Sequence, residues 1–198
     1  MALEDNPTIL IDADGVLADF DTGLATKLKL LYPDIEIPDR SNHDIRLDYP
    51  EHLSSVIQDI IHSDDFFNEI PIYNDALEGW ETLLTNGYQP VICTAPLPDH
   101  PRSIEAKQEW IRDNIVPHFG ASALNLAQIT IHKHTVPALA IIDDSPAMPN
   151  AHLAEWRHII FSQPYNVTVE TDFRINGWRD KSLADTVARA IARPPDLP

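Results

Sequence analysis

The stretch ILIDADGVLADFD, residues 9–21, decides how the chain is read. An apolar run ends at Asp12, and further carboxylates follow at Asp14, Asp19 and Asp21. Carboxylates this close repel one another, so something must offset the crowding at the end of a first core strand. Thr8–Asp12 (TILID) reads as that strand, buried on both faces. If extended geometry persists past it, Asp12 and Asp14 point the same way, because side chains alternate with period two. Gly15 then lets the chain turn sharply. Asp19 and Asp21 have a simpler reading: negative side chains near a helix N-terminus favour its dipole.

Outward from this stretch, strands and helices alternate. Residues 18–71 carry helical patterns and no convincing strand. Leu24, Leu28 and Leu31 fit one face, as do Leu53, Val56, Ile57, Ile60 and Ile61, with the polar connection IPDRSNHD between them. Beyond Pro71 the spacing predicts helices over Asp75–Leu84, Ser103–Val116 and Lys181–Ala192, the last ended by PPDLP. Strands are expected at Pro90–Thr94, Ala127–Ile131, Ala138–Asp143 and His158–Phe161. The pattern is that of an α/β protein with a Rossmann-like parallel sheet flanked by helices, and a small helical cap inserted after the first strand. Residues 1–17 and 72–198 would form the core, and 18–71 the cap.

Ligands of such sheets bind beyond the carboxyl ends of the strands. The first strand ends in Asp12-Ala13-Asp14-Gly15 and the second in Thr94-Ala95-Pro96; His132-Lys133-His134 follows the third, and the fourth ends in Asp143-Asp144-Ser145-Pro146. Carboxylates at two strand ends suit a hard divalent cation such as Mg2+, which often shares its oxygen ligands with a phosphate. Threonine can hydrogen-bond a phosphate oxygen, and lysine supplies it with a point charge. Each feature has a plain structural alternative. Asp14-Gly15 is a common turn, Thr94 could simply end its strand, and Lys133 could sit in an exposed turn. Asp143-Asp144 could cap a helix. His132 and His134 read as solvated, with no third ligand of suitable type nearby in sequence. The joint occurrence of these residues at successive strand ends is what favours one site.

The bulk properties narrow the partners. A chain of 198 residues with 43% hydrophobic content can bury one core, with a modest insertion. A net charge of −17 argues against a nucleic-acid polymer or an anionic membrane, since no basic run offsets it. A small anion remains compatible if a bound cation inverts the local field. Cys93 is the sole cysteine, so no intrachain disulfide can form, which fits a reducing cytoplasm. No secretory leader or membrane span is expected. The seventeen prolines are spread over connections and termini, and no internal repeat is evident.

With these residues in hand, the chain resembles the haloacid dehalogenase-like (HAD) hydrolases. DADGVLAD is similar to their first motif, Thr94 to the second, Lys133 to the third and Asp143-Asp144 to the fourth. The order separates it from response-regulator receivers, in which the acidic pair comes first. The closer resemblance is to the 5′(3′)-deoxyribonucleotidase family, carried by DGVLADFD, ICTAP, AKQEWI at 106–111, the spacing from Lys133 through TVPALAIIDD, and FSQPYN at 161–166.

That resemblance implies a Mg2+-dependent phosphomonoesterase acting on (deoxy)nucleoside monophosphates. Asp12 would be the nucleophile that forms an aspartyl-phosphate, and Asp14 the acid and then the base. The metal would be held by Asp12, the backbone carbonyl of Asp14 and Asp144, with Asp143 sharing that role or standing behind it. Thr94, Ala95, Lys107 and Lys133 would hold the phosphate, Ala95 standing where the family often has serine. Lys107 also lies on the helical stripe of Ile104, Ile111 and Ile115, where a lysine either snorkels to water or faces an anion. Phe20 matches a position that stacks on the base, or is a core aromatic. His43, Asp44 and Ile60 stand where mammalian members place further aromatics, and His43 could substitute for one. A homodimer is expected by the same likeness. The alternatives are a HAD phosphatase for another small phosphoester, a dehalogenase or phosphonatase, and an idle binding protein. Asp14 argues against a halide leaving group, because only an alkoxide needs an acid.

Overall fold

The computed structural model describes residues 6–192. Six parallel strands form one sheet in the order β3-β2-β1-β4-β5-β6: β1 Thr8–Ile11, β2 Gln89–Thr94, β3 Gln128–Ile129, β4 Ala140–Asp143, β5 Arg157–Phe161 and β6 Arg174–Ile175. Strand order reverses at β1, which lies between β2 and β4, so the crevice for a ligand opens beyond its carboxyl end. Pro90 lies inside β2, paired with Ile9 of β1; β3 reaches only Cys93 and Thr94, so the other side of Pro90 carries no ladder for its missing N–H to break.

The two faces of the sheet are covered differently. Ile9, Ile11, Ile92, Ala140, Ile142 and Ile159 belong to the large core, together with buried residues of helices α4 (Ala76–Thr85), α5 (Ser103–Asn114) and α8 (Leu183–Ala192). The alternate residues Leu10, Val91, Cys93 and Ile141 form a smaller core closed by loops and a short 3-10 turn, with Trp156 as its largest member. Trp156 Nε1 donates to the Lys133 carbonyl at 3.0 Å, which ties this plug to the 3-10 turn Lys133–Thr135.

The insert between β1 and α4 carries α1 (Phe20–Leu31), α2 (Ser54–Ile61) and α3 (Phe66–Glu69). Asp19 caps α1, its carboxylate accepting from Thr22 N at 3.1 Å. The insert leaves and re-enters beside itself. Ala18 bridges Ile72 antiparallel, Asp19 N donates to Pro71 O at 2.7 Å, and Tyr73 N donates to Leu17 O at 2.9 Å. Trp110 of α5 donates from Nε1 to Ile70 O at 2.7 Å, seating α3 on the sheet side.

Several expectations are corrected. Leu24 and Leu28 are buried, but Leu31 is 59% exposed because α1 ends there. The helix expected over Ser103–Val116 breaks at Ile115, and Val116–Phe119 forms a separate turn, α6; Pro117 cannot continue the α5 ladder. A further turn, α7 (Ser122–Asn125), precedes β3, which is only two residues long. β6 was not expected at all; its two residues are strand only by pairing with β5. The terminal helix starts at Leu183 rather than Lys181, and PPDLP lies outside the described residues. Among the described residues, no helix is long and apolar enough to cross a membrane.

Candidate active site

The loop after β1 brings Asp12 and Asp14 to one cavity, but by curling rather than by extended geometry. Asp12 N still donates to Ile142 O at 2.9 Å; the Ala13 carbonyl then accepts from Leu17 and Ala18, both at 2.8 Å. Gly15 turns the chain at φ +74°, and a Cβ there would lie 2.7 Å from Asp144 Oδ2. Only glycine fits both conditions.

Lys133 is the hub. Its ammonium lies 2.9 Å from Asp12 Oδ1 and 2.8 Å from Asp143 Oδ2. Asp12 also accepts from Ala13 N at 2.8 Å. Asp143 is fully buried and accepts from Ser145 N at 2.9 Å, so both its oxygens are engaged. Asp12, Asp143 and Asp144 can each offer a carboxylate oxygen within 4.8 Å of the others. His132 and His134 stand outside this cluster, in contact with each other. No helix starts directly after Asp144, the next helical turn beginning at Ala151, which removes the capping alternative.

Three buried carboxylates meet here and the one ammonium reaches only Asp12 and Asp143, so their proton affinities diverge. Burial raises Asp12 to about 6, and the charges of Asp143 and Asp14 add to this, against the pull of Lys133. Burial also raises Asp144 well above the carboxylate range, helped by the charges of Asp143 and Asp12. Burial would raise Asp143 too, but Lys133, His158 and hydrogen bonds outweigh it and hold it below 3.8. Burial would lower Lys133, yet Asp12 and Asp143 hold it well above its ordinary value. The cluster therefore lacks positive charge. A divalent cation is the partner that hard, buried oxygens of this kind suit.

Lys107 is buried despite its charge, 2.5 Å from Asp14 Oδ2 and 3.2 Å from Thr94 Oγ1. Its ammonium also lies 4.6 Å from the centre of the Phe67 ring. It does not snorkel. The expected stripe is half right: Ile111 and Ile115 are buried, whereas Ile104 is 49% exposed, because Ser103, Ala106 and Trp110 complete the inner face instead. Thr94 and Lys107 thus stand behind Asp14, while Ala95 and Lys133 line the chamber with Asp12 and Asp144.

That chamber, of about 260 Å³, adjoins a cavity of about 470 Å³ under the insert. Asp14, Phe20, Arg40, His43 and Ala95 line both. Phe20 meets Phe66 edge-on at 5.2 Å and also lines both cavities. Asp44 lines the larger cavity but is bound to Arg46 at 2.8 Å. Ile60 is buried in the core; its neighbour Ile61 lines the cavity, with Gln58 and His62. Sequence reasoning missed Arg40, Tyr73 and Gln163 here, and gave Tyr165 no role. The signal was partial: Gln163 and Tyr165 lie in FSQPYN, and Arg40 in IPDRSNHD.

A parallel sheet of this order, an insert after β1 and an acid–lysine cluster across the strand ends define a hydrolase of the haloacid dehalogenase-like fold. A hydrolase of that family from Streptococcus pneumoniae superposes with a TM-score of 0.51 at 13% identity, covering 88% of this chain and 95% of the other. The chain belongs to the family described as 5′ nucleotidase, deoxy (pyrimidine), cytosolic type C protein, whose model matches residues 6–191. A protein of Bordetella bronchiseptica named "Putative 5'(3')-deoxyribonucleotidase" is 33% identical over 175 residues, covering 87% of this chain and 91% of the relative. The human 5′(3′)-deoxyribonucleotidase of cytosolic type is 27% identical over 201 residues, covering 93% and 96%. The mouse mitochondrial form is 29% identical over 191 residues, covering 90% and 85%. The chain is accordingly a phosphoric monoester hydrolase.

Proposed function

We propose that this chain is a Mg2+-dependent 5′(3′)-deoxyribonucleotidase working through an aspartyl-phosphate. The observation that carries the reading is the geometry around Lys133, whose ammonium joins Asp12 to Asp143 beside Asp14 and below an insert-covered cavity. The donor set fits the ion: buried carboxylate oxygens, short of positive charge. Asp12, Asp144 and the Asp14 carbonyl would hold it, with Asp143 behind them, occupied by Lys133 and Ser145. Bound Mg2+ would supply charge that lets an anionic nucleophile approach an anionic phosphate.

Asp12 then attacks phosphorus, with Lys133 neutralising the phosphoryl oxygens and fixing the carboxylate. Asp14, 31% exposed to the cavity, gives its proton to the leaving alkoxide and later takes one from the attacking water. Lys107 holds the Asp14 side chain from behind and is itself held by Thr94, and its charge would act on a bound phosphate across Asp14. In this reading residues 18–71 act as the cap over a core of 1–17 and 72–198, and Phe20 and His43 face the nucleoside. The proposal includes a homodimer and a cytoplasmic location, the latter supported by the cytosolic-type relative.

The lining of the larger cavity favours a second reading within the same chemistry. Gln58, His43 and His62 bring hydrogen-bonding groups to this lining, which suits a more polar phosphoester. Phosphate release with Mg2+, compared across deoxynucleoside 5′- and 3′-monophosphates and sugar phosphates, separates the two. Turnover confined to sugar phosphates would refute the nucleotidase reading. Turnover that survives EDTA or Asp12→Asn would refute the mechanism.

A further inference from the structure

The turn Pro164–Asn166, which follows β5, and Gln163 before it are tied to the loop after β1, to Tyr73 and to the loop after β4. Gln163 and Asn166 close a capping box, so the turn is rigid by its own bonds. Gln163 Nε2 donates to the Gly15 carbonyl at 2.6 Å and to Tyr73 at 3.1 Å. Asn166 Nδ2, fully buried, donates to the carbonyls of Asp144 and Phe161, both at 2.8 Å. Arg174 of β6 holds Asn166 from the far side, at 3.1 Å to both its Oδ1 and its carbonyl. This lattice delivers one side chain to the acid cluster: the Tyr165 hydroxyl donates to Asp144 Oδ2. The space for that contact exists only because residue 15 lacks a Cβ, which would stand 3.2 Å from the Tyr165 hydroxyl oxygen.

The other side of the Tyr165 ring belongs to the insert. The Arg40 guanidinium sits 4.6 Å from the ring centre, and His43 meets the ring edge-on at 5.5 Å. Arg40 is itself fixed, 3.1 Å from both Asp21 and Asp48 and donating to the carbonyls of Asn42 and His43.

We propose that Tyr165 is a positioning residue: its hydroxyl fixes the Asp144 carboxylate so that the other oxygen is presented to the divalent cation, and Arg40 of the insert holds the tyrosine in place. The inference rests on the reading that the acid cluster takes such a cation. Groups that orient a metal ligand commonly change metal affinity 10–100-fold when removed. The consequence is a link between the insert and the metal: what displaces residues 40–43 loosens the hold on Asp144, and cation binding favours the seated insert.

Calorimetric titration of the full chain with MgCl2 or MnCl2, without substrate, tests this. Tyr165→Phe keeps the ring under Arg40 and removes only the hydroxyl. It is expected to weaken cation binding about 10-fold or more, with a cooperative melt retained in EDTA. Arg40→Met is expected to weaken cation binding in the same direction by a smaller factor. A wild-type chain that binds cation beside a Tyr165→Phe chain that binds it equally well overturns the inference alone. An Arg40→Met chain with wild-type cation affinity overturns the insert's part in it. A wild-type chain that binds neither cation overturns the reading beneath.

Discussion

Replacing Asp12 by asparagine is expected to stabilise the metal-free protein at neutral pH while abolishing its activity. Asp12 titrates at about 6 in the fold against an ordinary 3.8, chiefly because it is buried. The folded state therefore binds more protons than the unfolded one between these values, and stability falls as pH rises through that window. At about 1.4 kcal/mol per pH unit, the gap amounts to about 3 kcal/mol, fully lost once pH exceeds the folded value. Asparagine mimics the protonated form and does not titrate. It also relieves Asp144, whose carboxyl is raised partly by the Asp12 charge. In EDTA the two proteins should melt alike near pH 4. At pH 7.5 Asp12→Asn should melt higher by about 6–12 °C, from about 2–4 °C per kcal/mol for a domain of this size. Added MgCl2 should then raise the wild type and leave the variant behind, since a ligand stabilises only the chain that binds it. Thermal unfolding across pH 4–8 with and without the cation reads all three effects. An Asp12→Asn protein less stable than wild type at pH 7.5 in EDTA, or a difference that does not change with pH, would refute the reasoning.

Other outcomes follow from the same geometry. Lys133→Met is expected to lower kcat/KM about 100–1000-fold, as for loss of a preorganised charge at the reacting group; steady-state phosphate release with near-normal turnover would count against the hub. Lys107→Met should lower activity by a comparable factor, because it strips both Asp14 and Thr94 of their partner; an unchanged kcat/KM would return Lys107 to a packing role. Gly79→Ala tests packing alone. Helix propensity favours alanine by about 1 kcal/mol, but the new Cβ would stand 2.1 Å from Trp178 Cε3. A net loss of about 1–3 kcal/mol is expected from overpacking, and a rise in melting temperature would show that Trp178 yields.

Much of the site was legible because it is written locally. An apolar run that ends in a carboxylate marks a strand end wherever it falls, and Asp12, Thr94 and Asp143 each close or directly follow such a run. Lys107 was legible as a charge on an inner helical face, although Ile104 was not its neighbour there. The unread part is non-local. The two residues of β6 have no apolar pattern of their own and become strand through β5. Arg40 owes its position to Asp21 and Asp48, and Tyr165 meets a carboxylate twenty-one positions earlier. Such pairings follow from the closing of the fold and leave no periodic trace. The break in α5 was legible in principle, since Pro117 stands at it, but the apolar spacing of Ile111 and Ile115 ran across the boundary.

The antiparallel bridge between Ala18 and Ile72 places the two ends of the insert side by side, as in the last rung of a hairpin. Fifty-odd residues could therefore be cut out and the gap spanned by a turn of about two residues, such as Asn-Gly. The same junction could accept a foreign helical segment without re-routing any strand. Inserts could then be exchanged between relatives at two peptide bonds, provided the incoming segment restores a guanidinium over the Tyr165 ring.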